Sequence, residues 1–116
     1  MIERKKKDII KYAKLFSTTK FSPLRSGNIS VRHNLKSVNG FLITPSGKKN
    51  HKLKTNDIVF VSLDGIPEKN KKPSSEWKFH LDIYKSTKYN SVVHAHSKFS
   101  VICSCIFREI PAFHYM

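Results

Sequence analysis

The sequence has 116 residues, which suffices for one domain with a modest core, and its 39% apolar content excludes extensive disorder. No apolar run approaches the ~20 residues that cross a bilayer, and the N-terminus lacks the apolar stretch of a secretory signal. The formal charge of +14 comes from 22 basic residues, of which 18 are lysines scattered along the chain. We therefore expect a soluble, cytoplasmic protein with a solvated lysine-rich surface, no membrane segment and no nucleic-acid partner.

The first predicted element is an amphipathic helix. Ile9, Tyr12, Ala13 and Phe16 recur at helical spacing, with lysines between them. This period predicts a helix over residues 3–16.

Three short strands are predicted next, at residues 28–32, 41–44 and 57–63. The dipeptide Asn39-Gly40 separates the first two and is typical of a hairpin turn. The sequence between residue 32 and this dipeptide leaves the register of the hairpin open.

The period becomes helical again near residue 73. Trp77, Leu81 and Tyr84 lie at i, i+4 and i+7. They predict a helix that begins near residues 73–75 and takes one of the two serines there as its N-cap.

The last third of the chain is predicted to hold a strand at residues 91–96 and an apolar segment at residues 98–107. The segment fits a helix or a strand equally well. Its Cys103 and Cys105 are one residue apart, a spacing that suits neither a mutual disulfide nor a common zinc motif. We expect both cysteines to be packing residues. The order of elements predicts an α/β or α+β domain with a largely antiparallel sheet.

Two histidines in the last predicted strand are the first candidate site. Side chains alternate between the faces of a strand, so His94 and His96 are expected on the same face. Neutral imidazole is a common zinc ligand. The pair predicts part of a metal site, although two polar residues at a solvated strand end would show the same pattern.

Three further stretches suit a phosphate: SGNIS at residues 26–30, TPSGK at residues 44–48 and PSSEW at residues 73–77. Each combines small residues with hydroxyl or backbone N–H groups near a turn or a helix start. Taken alone, each is more simply explained as an ordinary turn or helix cap.

Taken in order, these motifs are specific. The succession SGNISVR, LITPSG, PSSEW, VVHAH and IPAFHYM resembles the class II aldolase/adducin family, and most of all its L-fuculose-phosphate aldolases, from about residue 9 to residue 116. The resemblance implies that residues 1–116 are the N-terminal portion of one class II aldolase-like domain. Such a domain is a three-layer α/β fold, with a largely antiparallel central sheet flanked by helices, here truncated at the C-terminus.

The resemblance also implies a function. Such enzymes use Zn²⁺ to cleave a ketose 1-phosphate, here L-fuculose 1-phosphate, to dihydroxyacetone phosphate and an aldehyde, here L-lactaldehyde. It implies His94 and His96 as zinc ligands, and Glu76 as the acid/base that can also touch the metal. Tyr115 is implied as a catalytic residue that reaches a neighbouring subunit of a homotetramer. The residues implied to bind the phosphate are Gly27, Asn28, Ser46, Gly47, Ser74 and Ser75.

The chain departs from the family in one respect. Family members supply a third zinc histidine from a region beyond the HYM motif, and none of the other histidines of this chain matches it: His33, His51, His80 and His114. A catalytic zinc site commonly has three protein ligands. We therefore expect the 116 residues alone to bind zinc weakly and to lack aldolase activity.

Three alternatives remain open. Pentulose-phosphate 4-epimerases share the family, but they tend to carry aspartate where this chain has Glu76. A non-catalytic, adducin-like interaction module would lose the metal histidines, which this chain keeps. A nucleic-acid-binding protein would cluster its basic residues, which are scattered here.

Overall fold

The computed structural model describes residues 1–19 and 27–109. The strands are β1 (Asn28–Leu35), β2 (Val38–Ile43), β3 (Val59–Ser62) and β4 (Ser91–His94). The helices are α1 (Ile2–Thr18), α2 (Trp77–Ser86) and α3 (Lys98–Ile106), and two 3-10 turns, Asn50–Lys52 and Thr55–Asp57, precede β3. The strands form one antiparallel sheet in the order β3-β2-β1-β4. Among the described residues, no helix combines the length and the apolar character that a membrane crossing needs.

The central strands bury both of their faces. Successive residues of β2 and β3 alternate between two apolar clusters, as the two-residue period of a strand requires. The cluster under α1 contains Ile9, Ile10, Ala13, Ile29, Leu42, Leu53, Ile58 and Phe60. The cluster under α2 contains Phe41, Ile43, Val59, Val61, Leu81 and Tyr84. The predicted three-layer domain with helices on both faces of an antiparallel sheet is thus confirmed.

The first predicted helix is confirmed as α1. Its buried residues are Ile9, Ile10 and Ala13, whereas Tyr12 is half exposed. The predicted apolar stripe therefore faces the sheet, except at Tyr12.

The second predicted helix forms, but it begins later than predicted. α2 starts at Trp77, with Glu76 at the N-cap position, and neither serine caps it. Residues 73–75 are held outside the helix, because Ser74 N donates to Thr44 O across a backbone bridge. Glu76 therefore lies at the junction between a loop and a helix.

Arg32 of β1 fixes the other end of α2. Its guanidinium Nη2 donates to the backbone oxygens of Tyr84 and Thr87, at 2.9 and 3.0 Å. Tyr84 lies in the last turn of α2 and Thr87 directly follows the helix, so neither carbonyl has a partner within it. The contact ties α2 to β1.

The hairpin turn lies at Lys36 and Ser37, so the prediction of a turn at Asn39-Gly40 was wrong. Both turn residues have positive φ, 47° and 69°, which a two-residue hairpin loop of type I′ requires. Gly40 instead lies within β2, opposite Ser62. A Cβ built there would lie 2.5 Å from Phe60 Cζ and against Val61 O, so the glycine serves close packing and not a turn.

The last predicted strand is shorter than expected, and the apolar segment after it is a helix. β4 ends at His94, and α3 follows with Ser97 as its N-cap. α3 has no buried residue in the described part of the chain; Cys105 is exposed and Cys103 only half buried. The prediction that both cysteines are packing residues was therefore wrong for Cys105, which no described element covers.

The close packing at Gly40 gives a first prediction. In Gly40→Ala, the new methyl group must displace the buried ring of Phe60 or the backbone of β3. Overpacking of this kind costs about 1–3 kcal/mol of unfolding free energy. Denaturant unfolding followed by circular dichroism measures the loss. Val38→Ala, at an exposed position of the same strand, is the control and should cost less than about 0.5 kcal/mol. Equal stability of the two variants would contradict this packing argument.

Candidate metal and phosphate site

The predicted site motifs meet at one end of the sheet. β1 begins at Asn28 and pairs with the last residue of β4, His94. On the other side of β1, Thr44 follows the end of β2 and exchanges hydrogen bonds with the backbone of Ile29: Thr44 N donates to Ile29 O at 3.1 Å, and Ile29 N donates to Thr44 Oγ1 at 3.3 Å. Because the strands are antiparallel, the start of one lies beside the ends of its two neighbours.

Backbone hydrogen bonds bring the third motif to the same place. Ser46 N donates to Lys72 O at 3.0 Å, and Ser74 N donates to Thr44 O at 2.9 Å. These two bonds join the loop after β2 to the loop before α2. The serines and Glu76 are therefore positioned by the sheet as well as by the helix.

A polar cavity of about 200 Å³ lies between these loops. All six residues predicted to bind phosphate line it: Gly27, Asn28, Ser46, Gly47, Ser74 and Ser75. Glu76 and His96 line the same cavity. Gly27 and Gly47 have φ of 87° and 74°, a region that other residues adopt only with strain. The chemistry of the wall, hydroxyls and N–H groups at turns, suits an anion.

Lys48 and Asn50 also line the cavity, although neither is among the six residues predicted to bind phosphate. Lys48 Nζ lies 2.7 Å from Asp57 Oδ2. Partial burial raises the pKa of Asp57, but the hydrogen bonds from Lys48 and from Lys54 N outweigh this and hold the pKa below its usual value. The position of Lys48 directly after the Ser-Gly pair was the available signal.

Glu76, His94 and His96 form a compact cluster. One ligand atom from each lies within 4.8 Å of the other two. Glu76 Oε2 is 2.8 Å from His94 Nδ1, and Glu76 Oε1 is 3.8 Å from His96 Nε2. His94 ends β4 and His96 lies two residues beyond, so the two rings stay on one side with their centroids 4.7 Å apart. Tyr115, predicted as a catalytic residue, lies outside the described residues.

The cluster fits a zinc ion. The Nδ1 atom of His94 is buried and, although it is close to Glu76, it makes no hydrogen bond of acceptable geometry within the described part of the chain. A buried polar atom without such a bond is uncommon in proteins and indicates a missing partner. Two imidazole nitrogens and a carboxylate oxygen are a donor set that zinc takes in catalytic sites.

A chain of buried polar groups connects this cluster to the core. Asn28 Nδ2 donates to Glu76 Oε2 at 2.6 Å, and Asn28 Oδ1 is hydrogen-bonded to His80 Nε2. On the other side of the ring, Ser30 Oγ lies 2.6 Å from His80 Nδ1 and 2.7 Å from the hydroxyl of Tyr84. Asn28, Ser30, His80 and Tyr84 are all buried.

Burial shifts the pKa values of the two titratable groups in this buried network, His80 and Tyr84. Desolvation lowers the pKa of His80 to about 4, with a smaller contribution in the same direction from His94. Burial likewise raises the pKa of Tyr84 to about 12. Sequence reasoning assigned no role to His80. Its position three residues after Trp77, inside the apolar stripe of α2, was the signal that it is buried.

Comparison with known proteins identifies the family. Residues 7–116 match the sequence model of the class II aldolase and adducin N-terminal domain, and the chain belongs to this family. The resemblance drawn from the five motifs is thus confirmed.

Relatives with named activities are similar along most of the chain. It is 43% identical over 109 residues to a 5-methylthioribulose-1-phosphate/5-deoxyribulose-1-phosphate aldolase of Rhodospirillum rubrum, covering 93% of this chain and 48% of that protein. It is 47% identical over 92 residues to the L-fuculose phosphate aldolase of Haemophilus influenzae, covering 78% and 41% respectively. A solved L-fuculose 1-phosphate aldolase superposes with a TM-score of 0.79 at 31% identity, over 89% of this chain and 49% of that one. The chain therefore spans about half the length of the relatives that it matches.

The depressed pKa of His80 predicts a pH dependence of stability. The unfolded chain binds a proton at His80 near pH 6.5, whereas the folded chain does so only near pH 4. Between these values the unfolded state holds more protons, so stability is full above pH 6.5 and falls as the pH is lowered. We expect a loss of about 3 kcal/mol from this group between pH 6.5 and 4.

Denaturant unfolding of His80→Gln across the same pH range measures this contribution. The variant should lose less stability on acidification than the wild-type chain. His51→Gln, which removes an exposed imidazole, is the matched control and should follow the wild type. Parallel profiles for His80→Gln and the wild type would show that His80 is not buried in its neutral form.

Proposed function

We propose that the protein is a zinc-dependent class II aldolase that cleaves a ketose 1-phosphate to dihydroxyacetone phosphate and an aldehyde. One observation carries this proposal: Glu76 lines the cavity of the six phosphate-binding candidates and also lies 2.8 Å from His94. Glu76 thus lies between the residues proposed to bind the phosphate and the two histidines proposed as metal ligands. Retro-aldol cleavage of a ketose phosphate by a class II enzyme uses a metal ion, an acid/base group and a phosphate-binding site close together.

In this proposal His94 and His96 hold the zinc ion, with Glu76 beside them. Zinc bound there would act as a Lewis acid that stabilises the negative charge developing on the substrate oxygens. The two histidines project from the end of β4, whose pairing with β1 fixes the position of His94.

Glu76 is proposed to carry the proton to and from the substrate carbon. Asn28 Nδ2 holds its Oε2 at 2.6 Å, whereas its Oε1 is 3.8 Å from His96. The carboxylate is thus fixed through one oxygen, and Oε1 is the oxygen that we propose for proton transfer. A positioned acid/base of this kind contributes about 10²–10⁴-fold to the rate.

The phosphate is proposed to bind in the 200 Å³ cavity, among the serine hydroxyls and the backbone N–H groups of the glycine turns. It lies away from the bond that breaks, so its binding energy orients the reacting end of the substrate. Lys48 adds positive charge at the wall, partly neutralised by Asp57.

The named relatives act on different ketose phosphates, namely 5-methylthioribulose 1-phosphate, 5-deoxyribulose 1-phosphate and L-fuculose phosphate. We propose L-fuculose 1-phosphate as the substrate, with L-lactaldehyde as the second product. The presence of Glu76 where epimerases of the family tend to carry aspartate favours the aldolase over the epimerase. We further propose that the protein works in the cytoplasm as a homo-oligomer to which Tyr115 contributes across subunits. That the 116 residues alone are inactive stays a prediction.

Glu76→Gln in the whole protein tests the proposal. The amide keeps the size of the side chain but cannot shuttle a proton, so cleavage should fall by roughly 10²–10⁴-fold while bound zinc is retained. Release of dihydroxyacetone phosphate is followed by a coupled assay, with L-fuculose 1-phosphate and 5-deoxyribulose 1-phosphate in separate arms. Elemental analysis gives the zinc content.

Glu68→Gln is the matched control, because Glu68 pairs with Lys71 and does not line the cavity. It should keep the activity of the unsubstituted protein. Near-normal turnover in Glu76→Gln would reject the role of Glu76. Failure of the zinc-loaded whole protein to cleave either substrate would reject the proposed activity.

A further inference from the structure

We propose that His80 is a positioning residue: as a neutral imidazole protonated at Nε2, it fixes the side-chain amide of Asn28 so that the amide N–H group faces Glu76. The hydrogen-bond geometry carries this inference. Its consequence for catalysis rests on the role proposed above for Glu76.

The directions of the hydrogen bonds between Glu76 and the His80 ring follow from the Asn28 amide, and those on the Ser30 side follow for a neutral ring. Asn28 Nδ2 donates to Glu76 Oε2 over 2.6 Å, so the NH₂ group of Asn28 faces the carboxylate. The amide oxygen of Asn28 must then face His80. Because that oxygen can only accept, His80 Nε2 must carry a proton.

The other ring nitrogen completes the assignment. A neutral imidazole protonated at Nε2 presents a bare Nδ1, which can only accept. Ser30 therefore donates its hydroxyl proton to Nδ1 over 2.6 Å, and Tyr84 donates its own to Ser30 Oγ over 2.7 Å. All these hydrogen bonds therefore run in one direction. Each group, from Tyr84 through the ring to Asn28, donates to the next, and the last acceptor is Glu76.

Burial favours this arrangement of hydrogen bonds over one with a flipped Asn28 amide. Ser30 and His80 are 0% exposed and Asn28 is 4% exposed, so no solvent is at hand to satisfy an alternative orientation. A flipped amide would put the Asn28 oxygen against the Glu76 carboxylate and its NH₂ group against the Nε2–H of His80. The first contact would be repulsive, and the second would be repulsive as long as the ring proton stays on Nε2. The lowered pKa of His80 agrees with a neutral ring.

The consequence lies at the cavity. Asn28 lines it beside Glu76. One N–H group holds Glu76 Oε2, so the carboxylate is aligned with His94 and His96. Without His80 the amide would lose one of the two hydrogen bonds that hold this orientation.

Nitrogen NMR of the metal-free whole protein, labelled with ¹⁵N-histidine, tests the assignment directly. The His80 signals, identified by their loss in His80→Gln, should show a protonated Nε2 and a bare Nδ1 at pH 7. A ring protonated at Nδ1 alone, or at both nitrogens, would overturn the proposal. Neither outcome depends on zinc binding or cleavage, so a failure here is distinct from a failure of the proposed function.

A matched pair of substitutions tests the effect on the site. In His80→Gln, the side-chain amide nitrogen can take the place of Nε2 and donate to Asn28, whereas His80→Leu offers no donor. We expect the leucine variant to lose about 10–100-fold in kcat, as loss of an orienting group typically does, and the glutamine variant to recover most of that loss. KM should rise less than kcat falls in the leucine variant, because Asn28 is only one of the six residues proposed to bind the phosphate.

Leu81→Ala controls for packing, since it empties a neighbouring buried position of α2 outside the polar chain. It should lower stability without the loss in kcat. Equal losses in the glutamine and leucine variants, at comparable stability, would show that His80 merely fills space. If the leucine variant does not fold, the NMR assignment and the kcat of the glutamine variant still decide.

Discussion

Strand β1 pairs with β2 on one side and with β4 on the other, and the candidate site depends on this double pairing. The register sets Asn28, the first residue of β1, opposite His94, the last residue of β4. On the opposite side, Thr44 N donates to Ile29 O, and Thr44 O in turn accepts a hydrogen bond from Ser74 N. Residues far apart in sequence thus reach one end of the sheet through backbone hydrogen bonds. A slip of one residue in the β1–β4 register would turn His94 to the other face and separate it from Glu76.

The buried polar chain links this end of the sheet to the core under α2. Tyr84 packs on Phe41, with ring centroids 5.0 Å apart, and its hydroxyl begins the chain that ends at Glu76. Polar groups buried so deeply destabilise a fold unless each has a partner, at about 1–3 kcal/mol for each group left unsatisfied. Here each finds one, so the network specifies a single orientation of the side chains around Glu76. The same low dielectric that makes a missing partner costly also strengthens the bonds that are made.

The sequence predicted well those features that depend on short-range pattern. The apolar stripes of α1 and α2 were visible because a helix that packs on a sheet needs apolar residues at every third or fourth position. The site motifs were recognisable because phosphate and metal binding need particular residue types at fixed local spacing. The start of α2 could not be predicted, since Ser74 is held by a bond to Thr44, thirty residues earlier. Gly40 suggested a turn because nothing local shows that Phe60 packs over it. His80 gained a role only when Asn28 and Ser30 of β1 were placed against it.

The central claim is that His94 and His96 hold a zinc ion beside Glu76, and X-ray absorption at the zinc edge of the whole protein tests it most directly. The account predicts a first shell of nitrogen and oxygen atoms near 2.0–2.1 Å, with the outer-shell scattering of imidazole rings. In His94→Ala the zinc should be lost, or the imidazole contribution should fall by one ring. A shell containing sulfur at about 2.3 Å would place the metal on cysteine ligands and contradict the account, as would an unchanged spectrum at full zinc content in His94→Ala.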